Sequence, residues 1–442
     1  MSLPKCPNQK QIDLELQRWV DEVLKFIEPL KKAGLIDDLE IFIRHRSSRG
    51  WSLKGRDISP SNPPAQGECY LRLFLGGHSV WGRFPLVVST WRDGLIELMK
   101  RIPPQRVGSY RPPEPRAVHP RPALCDVHLL DEFGDSYRFQ RLAFALSDNT
   151  WHESERIEGL TSLDGSLMMH LTHRISANFQ GLVCDSQSYL ESKIAINQCF
   201  EDRKINGYCP SSFLPNALLG SNIWRRRGGL SIAGTQILGT RCLILHPRVV
   251  EQLLRQRLPL LLSTRSNQRG MTIAAPAFTM THEPTIDGMQ RSVSFDDLGY
   301  PRLSRMMIDQ GVLTEYFDID PLCALWTPRG LRPDLSNFFI RPGSLTLGAM
   351  KRAKPQPLII ERVKIHPIDP QKGPNHFTVS ILEGLTPQGT RLPINQYQLS
   401  GTILSEGENK GILDSATFSK ELVDTSTAVL PHMLLMLTLS TR

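Results

Sequence analysis

Thr281 to Gly288 read THEPTIDG, and a His-Glu pair such as His282 and Glu283 is half of what a zinc hydrolase requires. That chemistry needs His-Glu-x-x-His on a helix, so that two imidazoles one turn apart face one ion and the glutamate serves as base. Here Ile286 stands at the second histidine position, and a form longer by one residue places Asp287 there. Pro284 lacks an amide proton and opposes a helix interior, so the segment reads as the end of a strand, MTIAAPAFTMT, passing into a turn. His282 and Glu283 are then candidates for contacts with a peptide or a subunit, and not for metal ligation.

Other pairs invite the same test. His170 and His173 lie three apart in a stretch that alternates like a strand, which sends them to opposite faces and makes joint metal ligation geometrically poor. Asp296 and Asp297 form a carboxylate pair in FDDLGYP, where turn chemistry is the first reading and a catalytic dyad a distant second; like His282 and Glu283, they are candidates for peptide-groove or subunit contacts. The sequence has no GxSxG elbow, no Walker loop and no glycine-rich dinucleotide fingerprint. Its eight cysteines, at positions 6, 69, 125, 184, 199, 209, 242 and 323, include no CxxC pair, so reduced structural thiols are expected.

The chain of 442 residues carries a net charge of +8, with a local basic cluster, WRRRGG, from Trp224 to Gly229. No helix-turn-helix, RNP-type or zinc-finger pattern accompanies that charge, so nucleic acid is not the expected partner. No apolar run suits a signal peptide or a membrane span, and a cytoplasmic location is expected.

Several elements must position these residues. Ile12, Leu16, Trp19, Val20, Val23, Leu24 and Ile27 recur by threes and fours, predicting an amphipathic helix that Asn8 can cap and Gly34 can close. Period-2 stretches at 39–45, 50–58, 69–76 and 79–88 predict strands, and STWRDGLIELMKRI predicts a second helix with Thr90 and Asp93 at capping-box spacing. Seven prolines between residues 103 and 122 predict a semi-rigid linker. Beyond it, residues 136–148 can be helical, and a pair of strands is broken at Asn178 to Gly181. From about Arg241 the chain is strand-rich, with short helices after Pro247 and near Leu345 to Arg352. Asp309, Gln310 and Gly311 read as a hairpin turn, because glycine supplies the positive φ such a turn needs. The fold class is thus α+β: α/β modules at 1–102 and 123–240 with antiparallel sheets and flanking helices, joined by the linker 103–122, then a strand-rich antiparallel domain at 241–442.

Taken as a whole, SVSFDDLGYPRLSRMMIDQGVLTEYFDIDPLCALW resembles a signature region of the TldD/TldE (PmbA) peptidase family. The Asp-x-x-Gly turn is Asp296 to Gly299, the glycine hairpin is Gly311 to Leu313, and the alanine-containing segment surrounds Ala324. The leading helix and strands, the strand pair around residues 160–196, and FTVSILEGLTPQGTRLPINQYQLSGTIL extend the resemblance over nearly the whole chain except the proline-rich stretch.

The resemblance implies two kinds of subunit that pair around a cavity and cleave unfolded peptides, including leader portions of modified peptide natural products. TldD-type subunits hold zinc through an HExxxH helix and a late cysteine, and TldE-type subunits lack that set. Here the corresponding helix reads HPRVVEQLLRQRL, with Gln252, Leu253 and Arg257 at the His, Glu and His positions. The late cysteine position falls at about Thr425, and no cysteine follows Cys323. The implied identity is a non-catalytic TldE-like subunit without a cofactor of its own, whose TldD-like partner carries zinc, and whose substrate is an extended peptide. The competing readings are a homodimeric peptide-binding or assembly protein and a DNA-associated factor, the latter in line with the gyrase-modulator label of this family.

Overall fold

The computed structural model describes residues 9–55, 57–85, 91–101, 140–141, 143–145, 148, 160–198, 202–209, 238–263, 268–287, 289–315, 324–327, 330–353, 355–386, 392, 397–405, 410–425 and 428–441. Asn8, Thr90, the proline-rich stretch and the basic cluster at Trp224 to Gly229 lie outside them. Two compact units emerge. The first comprises Met1–Arg226, Asp287–Arg302 and Trp326–Gly330; the second comprises Arg227–Ile286, Leu303–Leu325 and Leu331–Arg442.

The first unit opens with helix α1 (Gln9–Lys32) and continues through strands β1 (Asp38–Lys54), β2 (Asp57–Ser61), β3 (Gln66–Leu75) and β4 (His78–Pro85) to helix α2 (Trp91–Met99). Strands β5 (Leu160–Asn178), β6 (Gly181–Gln198) and β7 (Asp202–Cys209) follow, broken between β5 and β6 where the sequence predicts. All seven strands form one antiparallel sheet of order β4-β3-β1-β5-β6-β7, with β2 against β1. Strands from both expected amino-terminal modules therefore share a sheet, because β1 pairs with β5 from Glu40 opposite Asn178 to Lys54 opposite Asp164.

That long partner also explains why 39–45 and 50–58 are not separate strands: β5 templates β1 straight through Gly50. A Cβ at Gly50 would stand 2.1 Å from the Leu167 carbonyl oxygen, so only glycine permits this approach. The predicted stripe of α1 packs Leu16, Trp19, Val20, Val23 and Ile27 onto Leu39, Ile41, Ile43, Ile175 and Ala177 of the sheet. Burying each large side chain contributes on the order of 1.5–3 kcal/mol. Trp91 of α2 meets Trp19 and Phe26 edge-on at 6.1 and 5.4 Å. Gly34, at φ +70°, ends α1. Of the expected 136–148 helix, the described residues 140, 141, 143–145 and 148 are helical.

The second unit is built from β8 (Gly239–Leu245), helix α3 (Pro247–Ser263), β9 (Met280–His282), β10 (Arg305–Asp309), β11 (Val312–Leu313), β14 (Phe338–Ile340), helix α4 (Leu347–Lys351), β15 (Leu358–Ile365), β16 (His376–Leu385), β17 (Tyr397–Thr402), helix α5 (Ile412–Ser415), β18 (Thr417–Asp424) and β19 (Ala428–Thr441). Strands β12 (Ala324–Thr327) and β13 (Gly330–Pro333) make a separate two-stranded ribbon. In the ten-stranded sheet, β8 pairs with both β15 and β19, so β8-β15-β16-β17-β19 close into a ring. β14, β9, β10 and β11 extend from the early part of β19, and β18 lies against it.

The hairpin at Asp309 to Gly311 is present, with φ of 47° at Gln310 and 81° at Gly311, the pair of positive values a two-residue turn demands. The expected strand MTIAAPAFTMT is corrected: only Met280–His282 is strand. Pro276 supplies no donor, and the amides of Ile273, Ala274 and Ala275 turn instead to the carbonyls of Gly311 and Leu413. Helix α3 is longer than the short helix expected, while α4 sits at the predicted place, capped by Thr346 accepting from the Ala349 amide at 3.1 Å.

Candidate functional site

His282 ends β9, between β10 and β14, and is 1% exposed. Its Nε2 lies 2.6 Å from the Ser336 hydroxyl and accepts the Ser336 amide at 3.3 Å, so this nitrogen serves the fold. Glu283 is half-buried: its amide donates to the Asn337 carbonyl at 2.8 Å and its carboxylate accepts from Ser304 Oγ at 2.5 Å. Pro284 and Thr285 form a turn directly afterwards, which is the strand-to-loop passage the proline predicts. Both residues belong to the second unit, whereas Asp296 and Asp297 belong to the first.

Asp296 is fully buried and organises its own turn. Its Oδ1 accepts the amides of Leu298 and Tyr300 at 2.9 and 3.0 Å, while Gly299 adopts φ +90° with no room for a Cβ against Ser176 Oγ. Asp297, 2% exposed, has a different task. Arg44 on β1 and Arg174 on β5 are cross-strand partners, a placement of like charges that destabilises a sheet unless an anion separates them. Asp297 is that anion, accepting Arg174 Nη2 at 2.7 Å on one oxygen and Arg44 Nη2 at 3.0 Å on the other. Arg174 Nη1 also donates to the Phe295 carbonyl at 3.1 Å and lies 3.4 Å from Asp185, which accepts the Ser294 hydroxyl at 2.9 Å. Burial opposes the charge on Arg174, but Asp185 and Asp297 more than offset it and hold its pKa above the ordinary arginine value. The carboxylate pair thus divides its labour: one shapes the loop and the other fastens it to the sheet. Sequence reading missed both arginines, although their alternation with apolar residues on one strand face was the available signal.

Helix α3 presents the positions that the resemblance aligns with a metal motif. His246 precedes it, taking the Val249 and Val250 amides on its carbonyl and the Arg248 amide on Nδ1 at 3.2 Å. Gln252 is exposed, Leu253 lies in the core, and Arg257 is 1% exposed. Arg257 Nη2 donates to the His366 carbonyl at 2.7 Å, while among the described residues its Nε and Nη1 meet no acceptor. Burial lowers its pKa from the usual arginine value. An aliphatic side chain and a guanidinium cation offer no lone pair to a dication, so Leu253 and Arg257 leave Gln252 alone of the three with a donor atom, too few for a zinc site. Among the described residues, no group of three or more His, Cys, Asp and Glu is placed to hold a metal ion. Thr425, at the late cysteine position just after β18, donates from its amide and hydroxyl to the Ala428 carbonyl at 2.9 and 3.0 Å. Near the start of α3 the rings of His246 and His432 meet edge-on at 5.4 Å, a contact that a separation of 186 positions hides from sequence reading. His170 and His173 do face apart: His170 meets Ser48 and Glu191, and His173 meets Ser186 and the His45 ring.

Residues 243–436 match the family model described as the PmbA/TldA metallopeptidase C-terminal domain. Over this stretch the chain is similar to a PmbA/TldD-family domain. The fold likeness extends further. TldE from Thermococcus kodakarensis superposes with a TM-score of 0.72 at 14% identity, over 95% of this chain and 99% of that one. A Thermotoga maritima MSB8 protein provisionally described as a modulator of a DNA gyrase gives 0.70 at 13%, over 96% and 100%. A Bacteroides thetaiotaomicron VPI-5482 protein with the same provisional description gives 0.68 at 14%, over 96% and 99%. At such identities the likeness is one of fold. No curated protein matches the chain in sequence. No described helix is long and apolar enough to cross a membrane.

Proposed function

We propose that this chain is a TldE-type subunit of a two-subunit TldD/TldE zinc metallopeptidase, with the zinc on a TldD-like partner. The substrate class is unfolded peptide, including leader portions of modified peptide natural products, bound in extended form by main-chain hydrogen bonds to a sheet edge. The observation that carries the reading is the donor set on α3. In a PmbA/TldD-type domain, Gln252, Leu253 and Arg257 stand where the resemblance sets His, Glu and His, and Arg257 is a buried cation held by the His366 carbonyl. Hydrolysis at zinc needs about three protein ligands and an open water position, so the metal chemistry falls to the partner.

Of the four acidic and histidine candidates, Glu283 suits a peptide or subunit contact best, because it is only half-buried at a turn. Asp296 and Asp297 shape the loop that carries them. Co-expression with a TldD-like protein, followed by gel filtration and metal analysis, tests the assignment. The expected result is a mixed complex with zinc stoichiometric to the partner and peptidase activity that a chelator abolishes. Stoichiometric zinc and peptidase activity in this chain alone would overturn it.

A further inference from the structure

The sheet of the first unit carries a constellation that the metallopeptidase reading leaves unused. Ser48 on β1 and His170 on β5 are direct cross-strand partners, and Glu191 on β6 is the diagonal neighbour of His170. Ser48 Oγ lies 2.8 Å from His170 Nδ1, and His170 Nε2 lies 3.1 Å from Glu191 Oε2. The direction of these bonds follows from a fourth residue. Arg46 Nε, which can only donate, points at the same Nδ1 from 3.2 Å. Nδ1 is therefore the bare nitrogen, Nε2 carries the proton and donates to Glu191, and the Ser48 hydroxyl donates to Nδ1. This is the protonation pattern a nucleophile, its base and an orienting carboxylate must have before acyl transfer.

The surroundings hold the ring in place. Tyr189 packs against His170 with centroids 4.9 Å apart and the rings tilted by 42°, and His170 is 4% exposed while Ser48 and Glu191 are intermediate. On the same face of β6, Gln187 donates to the Gln290 carbonyl at 2.9 Å, so the segment Asp287–Arg302 borders the group on one side. Arg46 lies two residues before Ser48 on the same face of β1 and places a guanidinium beside the pair, where it can stabilise charge on a carbonyl oxygen.

We propose that Ser48, His170 and Glu191, with Arg46, form a serine acyl-transfer site for carboxylic esters that operates without metal. Ser48 Oγ attacks the ester carbonyl as its proton passes to His170 Nδ1. The C–O bond to the alcohol breaks, and Nδ1 returns the proton to the departing alkoxide. Water then attacks the acyl-serine, loses a proton to Nδ1, and the carboxylate leaves as Ser48 regains its hydrogen. Glu191 is a positioning residue that holds the imidazole and stabilises its cationic form. The proposal is independent of the two-subunit reading, since it needs only residues of the first unit.

The test is fluorophosphonate labelling of the full chain with mass spectrometry, alongside p-nitrophenyl acetate hydrolysis in the presence of EDTA. The expected adduct is on Ser48, is absent in Ser48→Ala, and forms about 100-fold more slowly in His170→Asn. Glu191→Gln covers the case in which the histidine variant fails to fold. It should slow labelling about 10-fold and move the acid limb of the pH profile to lower pH, because the imidazolium loses its counter-charge. An unlabelled Ser48 in the folded chain, or labelling in Glu191→Gln with unchanged rate and pH profile, would overturn the proposal.

Discussion

Replacing Asp297 with Asn preserves shape and removes one charge from between two cross-strand arginines, and the consequences can be worked from the geometry. Asp297 is 1% exposed at its side chain, Arg174 10% and Arg44 31%. Breaking a buried pair by removing one partner costs about 3–5 kcal/mol. The Arg44 leg is more exposed and is worth at most about 1 kcal/mol after solvent screening. Asp185 remains 3.4 Å from Arg174 and Glu68 3.8 Å from Arg44, which retain part of the compensation. The net expectation is a loss of about 3 kcal/mol, the low end of the buried-pair range. All seven tryptophans lie in the first unit, so tryptophan fluorescence follows that unit selectively. At about 2–4 °C per kcal/mol, its melting midpoint should fall by roughly 6–12 °C. An Arg174→Met, Asp185→Asn, Asp297→Leu triple variant should recover most of the loss, since it removes the buried Asp185 carboxylate, 8% exposed, together with its cation. A shift below about 2 °C for Asp297→Asn would refute the argument, because it would value the pair as a surface bridge.

Gly311→Ala should destabilise the second unit by about 2 kcal/mol or more, as its φ of 81° is unfavourable for alanine and the Cβ would stand 2.2 Å from the Ala274 carbonyl oxygen; urea denaturation followed by far-ultraviolet circular dichroism measures this. Arg257→Met should be neutral or stabilising by about 1 kcal/mol in the same assay, because a buried cation with two donors unmet among the described residues is replaced by an apolar chain of similar length. The pKa of His45 lies below the ordinary 6.5, chiefly through burial and then through His173, with Glu15 opposing. The unfolded chain therefore binds the proton first, and this contribution to stability is whole above pH 6.5 and lost as pH falls through the lowered value. Melting curves by tryptophan fluorescence should show His45→Gln losing less stability than the parent chain between about pH 7.5 and pH 5.5, and equal losses would contradict the sign.

Local chemistry made much of the architecture readable. The threefold and fourfold spacing of Leu16 to Ile27 places α1, the Asn178 to Gly181 break separates β5 from β6, and Gln310 with Gly311 turns a hairpin. These are short-range effects, in which a backbone preference and one apolar stripe decide the outcome. Where a distant partner decides, the reading fails. MTIAAPAFTMT reads as a strand, yet the amides of Ile273, Ala274 and Ala275 are taken by the carbonyls of Gly311 and Leu413, far along the chain. The stretch 39–45 fuses with 50–54 because β5, more than a hundred positions away, pairs with β1 from Glu40 to Lys54, while residues 57 and 58 begin β2.

The site residues divide along the same line. Sequence alone determined that Pro284 denies His282 and Glu283 a zinc helix, that Asp296 starts a turn, and that Leu253 and Arg257 offer no lone pair to a metal, because each is a property of a residue type at a local position. Only the tertiary structure decided that Asp297 separates Arg44 from Arg174, that Arg257 is a buried cation resting on the His366 carbonyl, and that Ser48, His170 and Glu191 fall into one row. The physical reason is that strand register and burial, which choose among polar partners and set the electrostatic strength of each contact, depend on residues that no local window contains.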